Sequence, residues 1–358
     1  MTSQAIAHHR LVNQALLHST FETSHELVQY MGCVQAQDYY GAKWAIGNRI
    51  SGITDEQIES DFSAGKILRT HVLRPTWHFV SPKDIRWMLK LTAPKVRALS
   101  KGLHRQLEID DDVLKRSKKI MIKTLRDSKH ATRDVLRESL AKGKINTDDI
   151  RLGLLLMEAE LDALICSGTR RGKQFTYALL NDRVPETKDK EHDEAVAELG
   201  KRYFFSRGPA TVQDFMWWSG LSLKDVKNSI ALNKKFLDHE VIDGQTYWFA
   251  ASMPRTAKKI KTVRLLPAYD EYTVGYRDRS HVIQPDFMKP TGNGIFKATI
   301  IVDGQVSGTW KRVDIKKQMH VEIRALVASK KISGKLLSTA TKAYAQFNAV
   351  EHNVAVIL

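Results

Sequence analysis

The chain has 358 residues, 42% hydrophobic and 27% charged, a globular composition too long for one ordinary core. Lys and Arg number 56 against 40 Asp and Glu, a formal net charge of +16, so a polyanionic partner is expected, nucleic acid ahead of an anionic membrane surface. No apolar run reaches the length of a membrane span, MTSQAIAHHRLVNQALL breaks where a signal peptide needs apolar residues, and the two cysteines, Cys33 and Cys166, form no CxxC; a cytoplasmic protein without metal or cofactor is expected.

Taken in chain order, three stretches repeat one pattern of helix, capped second helix, third helix and β-hairpin, the order of a winged helix-turn-helix. In the first, residues 1–105, helices are expected at AHHRLVNQALL, HELVQYM and YYGAKWAIGNRI, and a fourth at TDEQIESDFSAG opened by Thr54 and Gln57. THVLRPTWHFV then predicts a strand pair bent at Pro75. In the second, 106–190, DDVLKRSKKIMIKTL is amphipathic and Thr132 opens RDVLRESLAKG. Thr147, Asp148 and Asp149 are expected to open a long apolar helix, IRLGLLLMEAELDALICSG, ending at Gly168. TRRGKQFTYALL follows as a basic hairpin whose glycine spacing is one residue short of a phosphate loop.

The third stretch, 191–258, has a helix at AVAELGKRYFFSRG, a second capped by Thr211 and Asp214 and stopped at Gly220, and a third capped by Ser222 and Asp225. Its hairpin turns at Asp243-Gly244. PRTAKKIK, 254–261, reads as a basic linker or a solvated charge run. From 259 to 358, VRLLPAYDEYTVGYRDRS, FKATIIVDGQVSGTWKR and HVEIRALV alternate apolar and polar residues, and a β-rich region is expected, with a terminal helix in TATKAYAQFNAV. The fold class is therefore α+β, mainly α: three tandem winged-helix modules followed by a β-rich C-terminal region.

The segment MGCVQAQDYYG carries the first chemical signal. Gly32 is a natural helix stop and Asp38 a natural N-cap, so CVQAQ between them has no room to be helical. In an extended segment residues i and i+2 share a side, so Gln35 and Gln37 project together, with Ala36 opposite. Paired amides can hold one water or one base edge, since each donates and accepts. On spacing alone they can equally satisfy backbone groups at a helix junction. Other signatures are absent: no GxSxG, no dinucleotide fingerprint, no Walker motif.

Basic and aromatic residues interleave elsewhere. Arg74, Trp77 and His78 in LRPTWHFV can line a base pocket or meet phosphates, although Trp77 also suits a core. Of Trp217 and Trp218, inside one helix, at least one must be core. Arg170, Arg171 and Lys173 sit at the second hairpin's tip, and Arg277 and Arg279 at a loop tip with Asp278 between them, where either DNA contact or a surface ion pair is credible.

VQAQDYYGAKWAIGNR, THVLRPTWHFVSPKD, RGPATVQDFMWWSGL, LLPAYDEYTVGYRDRS and IIVDGQVSGTWKR, in that order, resemble the winged-helix DNA glycosylases that repair alkylated bases and unhook interstrand crosslinks, the YcaQ-like or AlkZ-like family. The resemblance implies three winged helices forming a concave surface for damaged double-stranded DNA; three modules in one chain, with no heptad seam, are expected to grip it as a monomer. It also implies catalytic roles for Gln35 and Gln37, the latter placing the chain with the two-glutamine branch, and leaves Asp38 as a helix cap that can also support water or sugar. A non-catalytic DNA-binding protein or transcription regulator is the rival, although such regulators usually dimerise on a palindrome and no heptad seam is present.

Overall fold

The computed structural model describes residues 1–148, 150–254, 261–315, 318–327 and 332–350, and the backbone of Ala355–Ile357. The chain opens with α1 (Ser3–Asn13), then α2 (Ser24–Met31), β1 (Cys33–Gln35), α3 (Tyr39–Gly47), α4 (Asp55–Ser63) and the pair β2 (Leu68–His71) and β3 (Trp77–Val80). Local chemistry sets these bounds. Thr23 with Glu26 and Thr54 with Gln57 form capping boxes on α2 and α4, and the Asp38 side chain accepts from Gly41 N to start α3. Gly32 ends α2 at φ +77, a conformation a side chain would resist, and turns the chain straight into β1.

The long helix α5 (Ile85–Gln106) is not among the expected elements, and it carries in its interior Pro94, which removes a helical hydrogen bond. Its buried stripe of Ile85, Met88, Leu89 and Val96 makes tertiary packing outweigh that penalty. Next come α6 (Asp111–Ser128), β4 (Ala131–Thr132), α7 (Arg133–Lys142), α8 (Arg151–Leu161), β5 (Ile165–Ser167), β6 (Thr176–Leu179) and the single turn α9 (Leu180–Arg183). Here one expectation is corrected. The apolar run through Gly168 is not one helix: α8 stops at Leu161, Ala163 takes φ +55, and Ile165, Cys166 and Ser167 pair with Leu179, Ala178 and Tyr177. A short buried apolar strand and the end of a buried helix carry the same hydrophobic signal. Nor does Thr147 cap α8, whose N-cap is Ile150 without a side-chain bond; Asp149 lies outside the described residues.

Then follow α10 (His192–Arg207), α11 (Val212–Ser219), α12 (Leu223–Leu232), β7 (Leu237–Ile242) and β8 (Gln245–Ala250). The Thr211 capping box, the left-handed Gly220, the Ser222 cap and the Asp243-Gly244 turn all stand where the sequence puts them. The element order helix, short strand, helix, helix, hairpin recurs from α2 and from α6, and in both the opening strand pairs with the last, as β1-β3-β2 and β4-β6-β5. From α10 the order is the same except that the opening strand is reduced to one bridge, Ala210 to Trp248.

Beyond the basic stretch expected as a linker, whose residues 255–260 lie outside the described ones, β9 (Val263–Leu266), α13 (Glu271–Val274), α14 (Pro285–Met288), β10 (Thr299–Val302), β11 (Gln305–Ile315), β12 (Gln318–Ala325), α15 (Gly334–Phe347) and β13 (Ala355–Ile357) build a sheet of order β13-β12-β11-β10-β9. The alternation expected through YDEYTVGYRDRS is not strand: after Pro267 the Asp270 side chain accepts from Tyr272 N and starts the turn α13.

The cores ignore chain order. One cluster runs from Cys33 to Tyr276, and another joins residues 15–79 to 263–347, so the first segment and the C-terminal sheet share apolar packing. Trp44 Nε1 and Trp310 Nε1 donate to the carbonyls of Leu265 and Leu266 at 2.7 and 2.8 Å, stitching that seam.

Candidate active site

β1 is a three-residue strand, held on one side by its own sheet and on the other by side chains from distant elements. Gln35 sits opposite His78 on β3, Ala36 N donates to the Trp77 carbonyl at 2.7 Å, and Arg69 Nε donates to the Ala36 carbonyl at 3.0 Å. From α13, 236 residues away, Glu271 Oε1 accepts the backbone N–H of Gln35 at 2.8 Å. The other oxygen of this wholly buried carboxylate accepts from Arg207 Nη2 at 2.6 Å and Nε at 3.0 Å, and from Trp218 Nε1 at 3.0 Å. Arg207 also donates to the carbonyls of Met31 and Cys33, one on each side of Gly32. A buried charge pair survives only if nearly every donor and acceptor is matched, and here the matching groups are the backbone of the Gln35 strand.

The amides themselves meet one turn, that between β2 and β3. Gln35 is buried and its Oε1 accepts from Arg74 Nη2 at 2.9 Å; a guanidinium only donates, so the contact fixes which end of the amide faces it. Gln37 is exposed, and its Oε1 lies 3.4 Å from Trp77 N. Ala36 between them is wholly buried. Gln35 thus keeps its amide hydrogens and a second lone pair on its carbonyl oxygen for a guest, as does Gln37. Asp38, exposed, spends one oxygen on Gly41 N at 3.1 Å.

Acid–base groups around the amides are muted. Glu271 is tied into its ion pair. Burial pushes the Cys33 thiol well above its ordinary range, the nearby Glu271 adding to the effect. Burial, then the Arg74 charge, holds His78 well below the usual histidine range, and its Nδ1 bonds the Thr76 carbonyl at 2.9 Å. His78 is wholly buried, so the expected phosphate contact is corrected: it braces the turn from inside.

Other expected residues divide. Trp77 is half-buried, its ring 4.4 Å from that of His71 and 4.4 Å from the Arg69 guanidinium, whose pKa burial pushes down to about 10. Arg170 does not project from its hairpin: its guanidinium packs over Phe175 at 4.3 Å and Tyr39 at 4.9 Å and donates to the Lys173 carbonyl. Arg171 and Lys173 are exposed at that tip. Arg277 is exposed, whereas Arg279 is nearly buried with Nε on the Thr273 carbonyl at 2.8 Å. No group of three or more acidic, His or Cys side chains suited to a metal ion occurs among the described residues.

Sequence reasoning missed Glu271 and Arg207. The available signal was two adjacent carboxylates inside an apolar stretch, LLPAYDEYTV, since buried acids need cationic partners. Asp270 finds its own in Arg49, bidentate at 2.7 and 2.8 Å.

A model of the AlkZ-like DNA glycosylases matches residues 28–347, a span running from α2, just ahead of the amide strand, to the end of α15. The chain belongs to the AlkZ-like DNA glycosylase family. As a member it is an enzyme acting on DNA, in line with its +16 charge. Its fold is similar to that of the Streptomyces sahachiroi DNA glycosylase AlkZ, with a TM-score of 0.81 at 19% identity and 100% of both chains covered. Comparison with curated proteins gives no match. No helix among the described residues is long and apolar enough to cross a membrane.

Proposed function

We propose that this family member is a monofunctional glycosylase that hydrolyses the N-glycosidic bond of cationic alkylated purines such as N7-alkylguanine in double-stranded DNA, unhooks interstrand crosslinks by the same chemistry, and works as a monomer. The observation that carries the reading is the amide pair: Gln35 and Gln37 meet one turn, and Gln35 is locked on both backbone and side chain.

An N7-alkylated guanine is already positive, so it departs as a neutral base without a strong acid. What remains is to support an oxocarbenium-like sugar and to place a water at C1′. Gln35 and Gln37 orient that water by accepting from and donating to it, and Asp38, with one oxygen uncommitted to its cap, faces the growing positive charge. A neutral amide pair suits this substrate and would be too weak for an undamaged base.

The three repeated units are read as winged-helix modules, residues 1–105, 106–190 and 191–258, followed by the β-rich region 259–358. Arg171, Lys173 and Arg277 are the exposed phosphate contacts, Arg74 and Trp77 border the amides, and Arg170 and Arg279 act from behind the surface. The test is base release from a panel of alkylated duplexes, one of them crosslinked, with chelator present. N7-methylguanine should be freed, and Q35A and Q37A should lose release while binding DNA as before. A footprint on one defined sequence, with no base released from any duplex, would replace this reading by that of a DNA-binding regulator.

A further inference from the structure

We infer that Trp217, flanked by Arg74 and Arg279, is a stacking subsite for one unpaired nucleotide beside the amide pair. The inference rests on Gln35 being the reaction site, because Arg74 joins the two places: Nη2 bonds Gln35 Oε1 at 2.9 Å and Nη1 the Trp217 carbonyl at 3.4 Å.

The two tryptophans of α11 point about a quarter-turn apart, as neighbours on a helix must. Trp218 is wholly buried on Glu271, whereas Trp217 keeps 42% of its surface open. An indole left in solvent is normally free to swing, yet this one is fixed. Its Nε1 donates to the Val274 carbonyl at 3.1 Å, and the guanidinium carbons of Arg74 and Arg279 stand 5.6 and 5.5 Å from its ring centre.

The two cations are unusual in a second way. Arg279 is 8% exposed and Arg74 half-buried, and among the described residues neither forms an ion pair: their bonds go to the Gln35 amide and to the carbonyls of Trp217, Thr273 and Arg277. Arg74 Nε and Arg279 Nη2 are buried with no partner. Burial lowers the pKa of both, the mark of positive charge that its surroundings undercompensate. Secluded cations whose nearest carboxylates form no ion pair with them are costly, and an arriving anion relieves the cost. A rigid aromatic plate with two underused guanidiniums is complementary to a base joined to a phosphate. In intact duplex the base faces are taken by their neighbours, so the subsite selects DNA that is already distorted, and holding an unstacked nucleotide there sets the sugar of its neighbour near Gln35.

The test compares two duplexes of one sequence, one fully paired and one carrying a tetrahydrofuran abasic analogue that leaves the opposite base unpaired and so easier to unstack. Wild type should prefer the second. W217A should bind that duplex about tenfold more weakly and the paired one less than threefold more weakly, as expected for one lost stacking contact. W217F should recover most of the loss, and neither variant should change the salt dependence of binding, since no phosphate contact is removed. No preference in wild type, an equal loss on both duplexes, or W217F as weak as W217A would overturn the proposal; the last would assign the effect to the Val274 hydrogen bond, which both variants lose. None of these readings requires base release, so an absence of activity on alkylated DNA would sink the proposed reaction without deciding the subsite.

Discussion

The sheets β1-β3-β2 and β4-β6-β5 have the same strand order and the same antiparallel pairings, but only the first holds candidate chemistry. In the second, β4 is two residues long, and Thr132 pairs with Thr176 and accepts from Val135 N to cap α7. In the first, the equivalent strand carries Gln35 and is gripped by Arg207 from α10 and Glu271 from α13. The shared topology supplies a short edge strand between two helices. What distinguishes the two is the set of side chains delivered to that strand from other parts of the chain, so that the site is grafted on the fold, not inherent in it.

That contrast can be broken at its strongest point by Arg207→Met, which strands Glu271 as an unpaired buried carboxylate. A loss of about 3–5 kcal/mol in denaturant unfolding is expected. Gln35→Ala should lower single-turnover base release by roughly a hundredfold or more, the scale of a lost positioned group, with DNA affinity nearly unchanged and an unfolding cost of about 1–3 kcal/mol from the Arg74 donor left unpaired. Gly32→Ala forces a side chain into φ +77 and should cost about 1–2 kcal/mol, seen as a lower melting temperature together with slower base release.

A pH series sharpens the same comparison. His78 stays neutral in the fold because burial holds its pKa well below 6.5, while the unfolded chain takes up a proton near that pH. Stability from this group is therefore complete above about pH 6.5 and falls as pH drops, by up to about 1.4 kcal/mol per unit; His78→Phe should flatten the slope of unfolding free energy against pH. At the weak end, Thr132→Ala removes a cap from the second sheet. It should cost about 1 kcal/mol by denaturant unfolding and leave base release as in wild type. If Thr132→Ala impaired catalysis as Gln35→Ala does, the division between the two sheets would be wrong.

Much of the framework is legible in the sequence because it is local. Thr54, Thr211 and Ser222 with their partners three residues on, Gly32 as a stop and Asp243-Gly244 as a turn are decided within a few residues of chain. The short extended link holding Gln35 and Gln37 follows from the same kind of signal. What escapes is decided at long range. Pro94 is carried inside α5 because the helix packs well, Ile165–Ser167 become strand because Thr176–Leu179 is there to pair with, and His78 proves to be interior although it stands among basic and aromatic residues suited to a surface contact. The grip on Gln35 is the extreme case, since the carboxylates in LLPAYDEYTV signal only that a cation must be near, and nothing local marks Arg207 as that cation or Gln35 as the backbone it holds.

The 236 residues between Gln35 and Glu271 also order events in time. A ribosome adds about 5–20 residues per second, so the amide strand is synthesised roughly 10–50 seconds before the carboxylate that anchors it. The α2–β3 unit emerges early and must wait, its amide strand held only by its own sheet. A nascent or truncated chain ending before α13 can therefore own both glutamines and still lack the Glu271 bond to the Gln35 backbone, so on the proposed function base release waits until nearly the whole polypeptide exists.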